Sequence, residues 1–160
     1  MCTVRSGYPE RASLVALSFV ALVVVGCRSP GAVEQGSIAA IESLLREQQF
    51  DWNRGDIPAF MEGYARSEEL RFVSGDQTTI GWQATLDRYE RRYGDREKMG
   101  SLEFTLVDVE LLAAGVGKVV GKWQLSFTDD STGGMFTLIL RRRPEGWRIV
   151  HDHTSVQTGE

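Results

Sequence analysis

The sequence predicts an α+β fold in which N-terminal helices pack on one face of a curved antiparallel sheet. Apolar residues recur at helical spacing between residues 37 and 93, and from residue 102 onward they alternate with polar residues. Clusters of Gly, Asp, Ser and Pro separate the alternating segments, as turns require. Helices followed by a run of strands are typical of α+β domains. The 160 residues are 42% hydrophobic and 25% charged, which fits one globular domain.

Three helices are predicted in the first part of the folded region. The first begins at Ser37, a good N-cap, and ends at Gly55, which tolerates a left-handed backbone. A second, short helix follows Asp56, whose carboxylate caps it. The third runs from about Trp82 to Gly94. The apolar stripe of the first helix consists of Ile38, Ile41, Leu45 and Trp52.

Strands fill the rest of the folded region. Two are short, and four longer ones carry the period-two pattern with turns between them. Their predicted ranges are 70–74, 78–80, 102–113, 118–127, 135–143 and 147–154. In the strand 118–127, Val119, Trp123, Leu125 and Phe127 share one face, and Lys118, Lys122 and Gln124 share the other.

The first 26 residues are predicted to be a secretory signal peptide. Arg5 and Arg11 precede an apolar run at residues 12–26, which is too short for a bilayer span of about 20 residues. The run ends in Val24-Val25-Gly26-Cys27, which resembles the lipobox of bacterial lipoproteins. That resemblance implies cleavage before Cys27 and a diacylglycerol on its thiol.

The mature chain is therefore expected to be exported and anchored to a bacterial membrane only through the lipid on Cys27. Residues 27–36 are poor in large apolar side chains and are predicted to form a tether. Arg28 stands where inner-membrane lipoproteins carry aspartate, so we expect the periplasmic face of the outer membrane. The net charge of −4 argues against a nucleic-acid surface. Residues 157–160 are a short tail.

The region 37–156 resembles the NTF2-like superfamily, a cystatin-like α+β cone, and within it the SnoaL-like, DUF4440-type proteins. The matching segments are 52–56 at the end of the first helix, 72–75 in the first strand and 146–155 in the last strand, with Phe60, Tyr64 and Gly81 between them. The resemblance implies a bent sheet and helices that enclose a conical pocket, and a homodimer formed through the opposite face of the sheet. The last segment is also similar to the association domain of calcium/calmodulin-dependent kinase II.

Joining this geometry to the strand pattern predicts which side chains line the pocket. Trp147 and Ile149 should face inward, and strict alternation then brings His151 and His153 inward as well, while Arg148, Val150 and Asp152 face outward. We expect a small, largely apolar ligand, and no cofactor. The predicted ligand-binding side chains are Trp52, Tyr64, Tyr89, Trp123, Phe136, His151 and His153.

The paired histidines have three interpretations. A metal site would need a third and usually a fourth ligand, which the pattern does not supply, so no metal is predicted. Both imidazoles can instead be polar groups with hydrogen-bonding partners in the pocket wall. Alternatively, either can act as a general base, with Tyr64 as a hydrogen-bond donor. No matching carboxylate base can be placed in the pocket from the sequence.

Three functions follow from these interpretations. The first is a lipid-anchored protein that binds a small, largely apolar molecule without transforming it. The second is an isomerase- or dehydratase-like enzyme of the ketosteroid isomerase or SnoaL type that uses His151 or His153. The third is a dimerisation or assembly module similar to the kinase association domain.

Overall fold

The computed structural model describes residues 30–157. The predicted signal peptide, the lipobox and Cys27 lie outside the described residues. Within residues 30–157, no helix combines the length and the hydropathy that a membrane span requires.

The helices are α1 (Pro30–Asn53), α2 (Ile57–Met61), α3 (Trp82–Tyr93) and α4 (Arg96–Met99). Helix α1 begins at Pro30, and the predicted N-cap at Ser37 is wrong. The Ser37 hydroxyl lies inside the helix and donates a hydrogen bond of 2.9 Å to the carbonyl oxygen of Val33. Proline is favoured in a first helical turn because its missing N–H would have no partner there, so α1 continues into the segment predicted as a tether.

The ends of the other helices follow the sequence pattern. Gly55, two residues after the end of α1, adopts a φ of 85°, as predicted. Asp56 caps α2 by accepting a hydrogen bond of 2.9 Å from the Ala59 amide. Helix α3 begins at Trp82, and Gly94 follows its last residue. The short α4 was not predicted.

Six strands form one sheet in the order β2-β1-β6-β5-β4-β3. All neighbouring pairs are antiparallel except β1 and β6, which are parallel. This parallel pair was not predicted, and it places the first strand beside the last. The strands are β1 (Arg71–Ser74), β2 (Gln77–Ile80), β3 (Ser101–Ala113), β4 (Val116–Ser126), β5 (Ser131–Arg143) and β6 (Gly146–Thr154).

One face of the sheet packs against the helices and forms the core. Leu140 and Val119 have no exposed surface, and they belong to the same buried cluster as Ile41 and Leu45 of α1. The predicted face of β4 is confirmed, because Val119 and Leu125 are buried whereas Lys122 is exposed. The apolar stripe of α1 thus supplies the cover that the inner face of the sheet requires.

The last turns of α1 also cover the free edge of β3. The Asn53 side chain accepts a hydrogen bond of 2.7 Å from the Leu102 amide and donates one of 2.9 Å to the Leu102 carbonyl. The Gln49 side chain accepts one of 2.7 Å from the Phe104 amide. An edge strand exposes unpaired backbone groups, so these side chains replace a missing neighbouring strand and fix α1 to the sheet.

We expect Asn53→Ala to destabilise the protein by about 1–3 kcal/mol, because it leaves both backbone groups of Leu102 without a partner. Urea unfolding of the purified domain measures the change. The matched control is Arg54→Ala, since Arg54 is exposed and forms surface ion pairs with Asp51 and Asp56. It should cost less than about 1 kcal/mol. Equal losses for the two variants would contradict the edge-covering role of Asn53.

Candidate active site

The inner face of the sheet and helices α1 to α3 enclose a cavity of about 110 Å³. Its wall is mainly aromatic and aliphatic, and the aromatic rings pack edge to face; the centroids of Trp52 and Phe60 are 5.3 Å apart. Five aromatic side chains stand in the wall as predicted: Trp52, Tyr64, Tyr89, Trp123 and Phe136. That they bind a ligand stays a prediction.

The two histidines do not line this cavity, and their predicted orientation is wrong. On β5, Leu140 pairs with Ile149 and the adjacent Ile139 pairs with His151, so Val150 of β6 has no partner. This extra residue is a β-bulge, and it shifts the alternation of the strand by one position. Beyond the bulge, His153 is exposed and His151 is half-buried on the outer face.

The outer position of His151 is also evident in its electrostatics. Partial burial lowers the pKa of His151, and the neighbouring His153 and Arg71 lower it further. Arg71 pairs with His151 across the parallel β1–β6 ladder, so three groups that carry or acquire positive charge stand together on this face. Neither imidazole is available to a ligand in the cavity.

The same bulge turns Asp152 inward. Its side chain lines the cavity and is only 6% exposed. The Tyr64 hydroxyl donates a hydrogen bond of 2.8 Å to one carboxylate oxygen of Asp152, Oδ2. The other oxygen, Oδ1, has no hydrogen-bond partner among the described residues. The cavity therefore holds the carboxylate that the strict alternation of β6 had placed outside.

The backbone on either side of Tyr64 holds its hydroxyl against Asp152. The Ala65 amide donates a hydrogen bond of 2.8 Å to the carbonyl of Ile149, and the Ile149 amide donates one of 2.9 Å to the carbonyl of Gly63. These two bonds attach the segment after α2 to β6, three residues before Asp152. Tyr64 and Asp152 are distant in sequence, but the backbone pairing fixes both to the same strand.

Burial perturbs the pKa values of all three polar groups here. Removal from water raises the pKa of the Asp152 carboxyl to about 7, and the hydrogen bond from Tyr64 opposes this rise only in part. Burial, and then the negative charge of Asp152, raise the pKa of Tyr64 well above its ordinary value. The same two causes raise the pKa of Tyr89. Near neutral pH, Asp152 therefore exchanges its proton while both tyrosines keep theirs.

One signal for this arrangement exists in the sequence. Ile149 and Val150 are consecutive apolar residues in a strand whose pattern otherwise alternates, and such a break is typical of a bulge. Residues 30–157 contain no cluster of three or more His, Cys, Asp or Glu side chains suited to an ion. The chemistry that the cavity supports is proton transfer by one carboxyl group.

Comparison with known proteins agrees with this architecture. A family model described as a SnoaL-like domain matches residues 41–159. An NTF-2 like protein of unknown function from Shewanella oneidensis MR-1 is 38% identical; the match covers 73% of this chain and 97% of that chain, with a TM-score of 0.71. No functionally curated protein matches the chain by sequence.

Two further solved structures share the fold at lower identity. A ketosteroid isomerase-like protein from Erwinia carotovora atroseptica is 17% identical, with 77% of this chain and 98% of that chain covered and a TM-score of 0.62. A putative calcium/calmodulin-dependent protein kinase type II association domain from Thiobacillus denitrificans is also 17% identical, with coverage of 73% and 94% and a TM-score of 0.61. The NTF2-like resemblance and the α+β cone are thereby confirmed.

The raised pKa of Asp152 predicts how stability depends on pH. The folded state holds a proton on Asp152 that the unfolded state releases near pH 4. The contribution of this proton to the free energy of unfolding is therefore fully present below about pH 4. It is lost progressively as the pH rises to about 7, and it changes no further above that. Urea unfolding at fixed ionic strength should show that the free energy of unfolding falls by on the order of a few kcal/mol between pH 4 and pH 7. The Asp152→Asn variant should not show this fall.

The control for this measurement is Asp76→Asn, which changes an exposed carboxylate in the β1–β2 turn and should keep the wild-type pH profile. Stability curves for the wild type and Asp152→Asn that run parallel from pH 4 to pH 7 would contradict the raised pKa of Asp152.

Proposed function

This chain belongs to the SnoaL-like domain family, and we propose that it is an acid–base enzyme of isomerase or dehydratase type. Its substrate is a small, largely apolar molecule that enters the cavity. Asp152 is the proton-transfer group, in place of the histidines that one interpretation of the sequence offered for this role. The observation that carries the proposal is the free oxygen of a buried carboxyl group in a wall that is otherwise mainly apolar.

The position of Asp152 supports a catalytic role over simple binding. Burying a carboxyl group without a full set of partners costs free energy, and a pocket that only held an apolar molecule would be more stable with an apolar side chain there. A pKa of about 7 keeps both protonation states populated near neutral pH. A group with that property can take a proton from a substrate and return it, which is what general acid–base catalysis requires.

The proposed reaction begins with ionised Asp152. Its Oδ1 atom takes a proton from a carbon next to a carbonyl group, and the electron pair of the broken C–H bond moves into the enolate. Protonated Asp152 then returns the proton to a different carbon, which shifts a double bond, or to a leaving hydroxyl group, which departs as water. Both outcomes restore the ionised carboxylate.

The two tyrosines have different roles in this proposal. Tyr64 already donates its hydroxyl hydrogen to Asp152, so it positions the carboxyl group and stabilises its ionised form. It is therefore not the oxyanion donor expected from the sequence. Tyr89 lines the same cavity and keeps its proton at neutral pH. Its hydroxyl group is the candidate donor to the enolate oxygen.

A ligand-binding protein that transforms nothing is the competing function, and it uses the same cavity. The two differ in what Asp152 does, so the Asp152→Asn variant distinguishes them. Assembly through the outer face of the sheet has less support, because Arg71, Lys118, Lys122 and the two histidines interrupt its apolar side chains. The homodimer implied by the resemblance stays a prediction.

The proposal also includes the location of the protein at a membrane. The apolar run at residues 12–26 and the lipobox ending at Cys27 support export and lipid anchoring on the periplasmic face of the outer membrane. Helix α1 would then begin three residues after the lipid-bearing cysteine, which keeps the cavity close to the membrane from which apolar molecules partition.

A one-ring β,γ-unsaturated ketone tests the proposed chemistry. 3-Cyclohexen-1-one is comparable in size to the benzene that occupies an engineered cavity of ~150 Å³, and its conversion to 2-cyclohexen-1-one is followed by ultraviolet absorbance. We expect Asp152→Asn to lower the enzymatic rate by about 100-fold or more. The wild-type rate should rise as the pH increases through about 7, because the ionised form of Asp152 is the base.

His151→Ala and His153→Ala are the matched controls, because both side chains lie on the outer face of β6. Each should keep the wild-type rate within about twofold, as expected for surface substitutions away from the site. Wild-type turnover that survives in Asp152→Asn, or that is lost in a histidine variant, would overturn the assignment. Binding of the ketone without any conversion would favour the ligand-binding function.

Cys27→Ser tests the anchor. Expressed as the full chain in a Gram-negative host, the variant should lose the lipid and leave the membrane fraction, while the folded domain keeps its circular dichroism spectrum. Fractionation followed by mass spectrometry of the N-terminal peptide measures both changes. A wild-type protein whose Cys27 carries no lipid would rule out this anchor.

A further inference from the structure

Two arginines stand in the wall of the cavity in addition to Asp152. Arg88 and Arg92 lie one helical turn apart on α3, and both line the cavity together with the aromatic side chains. Arg88 is half-buried and Arg92 is exposed, so the pair marks the side of the cavity that opens to solvent. The intervening Arg91 is exposed and does not line the cavity.

The charges of both arginines are uncompensated within residues 30–157. Arg88 donates hydrogen bonds of 3.2 Å to Gln77 and 3.3 Å to the Thr79 hydroxyl, which are both neutral. Ion pairs within 4.0 Å form elsewhere in the described residues, at Arg46, Arg54, Arg66 and Lys118. Neither Arg88 nor Arg92 takes part in one, although every arginine keeps its charge at physiological pH.

Aromatic rings hold the two guanidinium groups in place. The Arg88 guanidinium carbon lies 5.3 Å from the centroid of the Phe72 ring, and that of Arg92 lies 5.4 Å from the Tyr93 ring. Phe72 and Tyr93 also line the cavity. Because the rings carry no net charge, they position the cations without neutralising them, and the guanidinium donors stay available to an anion.

We propose that the ligand of this cavity carries a carboxylate, which Arg88 and Arg92 bind at the opening while its apolar body extends inward toward Asp152. This inference rests on the proposed function and names its substrate class: an aromatic or alicyclic carboxylic acid of about one ring. A guanidinium group matches the two oxygens of a carboxylate, and the apolar wall matches the ring. A phosphate ester shares this anionic chemistry and is compared directly.

The arrangement also keeps the anion-binding arginines apart from the carboxyl group of Asp152. Among residues 30–157, Asp152 forms one side-chain hydrogen bond, with Tyr64, and none with an arginine. An anionic group beside Asp152 would oppose its ionisation, whereas an anion held at Arg88 and Arg92 leaves Asp152 free to take a proton from the apolar part of the ligand. The arginines thus orient the substrate as well as attract it.

Isothermal titration calorimetry of the folded domain tests this proposal with three probes that share one ring and differ in charge. They are 3-phenylpropanoate, its neutral amide 3-phenylpropanamide, and 2-phenylethyl phosphate. The wild type should bind the carboxylate roughly fivefold or more tightly than the amide, and added NaCl should reduce that preference. Arg88→Gln and Arg92→Gln should each weaken carboxylate binding by a similar factor and leave amide binding unchanged.

Arg91→Gln is the matched control, since it removes the same charge from the neighbouring, solvent-facing position. It should bind all three probes like the wild type, and thermal unfolding of each variant verifies that it is folded. Equal affinity of the wild type for carboxylate and amide would overturn the anion site and leave the proposed cavity function standing. Equal losses of carboxylate affinity in Arg91→Gln and Arg92→Gln would also overturn the anion site, because they would indicate nonspecific electrostatic attraction.

Two further outcomes are decisive. Absence of binding for all three probes would overturn both the anion site and a cavity for one-ring ligands. Stronger binding of the phosphate ester, with the same dependence on Arg88 and Arg92, would uphold the anion site with a phosphate as its preferred ligand.

Discussion

The candidate site depends on one unpaired residue in the last strand. Val150 of β6 has no partner on β5, and this bulge decides which side chains beyond it face the helices. With the bulge, Asp152 enters the cavity and the two histidines leave it. A strand without the extra residue would carry histidines in the wall and a carboxylate in solvent, and the cavity would have different chemistry.

Holding a carboxyl group in that position demands support from the surrounding structure. Asp152 is nearly inaccessible to water, and only one of its oxygens has a hydrogen-bond partner within the described part of the chain. The support comes from β1, which pairs in parallel with β6 and sets Phe72 beside Asp152, and from the backbone bonds that attach the segment around Tyr64 to β6. A buried polar group of this kind persists where the surrounding core is well packed, and perturbed groups of this kind cluster at functional sites.

Polarity is distributed unevenly along the cavity. The wall is mainly aromatic and aliphatic, and the inner carboxyl group exchanges a proton near neutral pH. The opening carries two cations that form no ion pair with the rest of residues 30–157. An apolar molecule with one anionic end fits this sequence of environments in a single orientation. The anchor predicted at Cys27 would bring such molecules, which partition into membranes, close to the opening.

The fold class, the main elements and the aromatic wall could be predicted from residue pattern and resemblance. Helical and period-two patterns are local, and a resemblance carried by segments such as 52–56 and 146–155 extends over most of the folded region. These features depend on which side chains must be buried, and the type and spacing of apolar residues predict which side chains those are. Within these limits, α1 begins earlier than the capping signal at Ser37 indicated, and the Ser37 hydroxyl bonds to the carbonyl of Val33 inside the helix instead of capping it.

Which residues meet at the candidate site depends on long-range contacts. The parallel pairing of β1 with β6, the contact between Tyr64 and Asp152, and the gathering of Arg88 and Arg92 at the opening all join segments that are far apart in sequence. The bulge at Val150 left a weak trace in the sequence, two consecutive apolar residues, but its effect is a property of strand pairing. A shift of one residue reverses every orientation beyond it, and pairing between strands is set by the whole sheet.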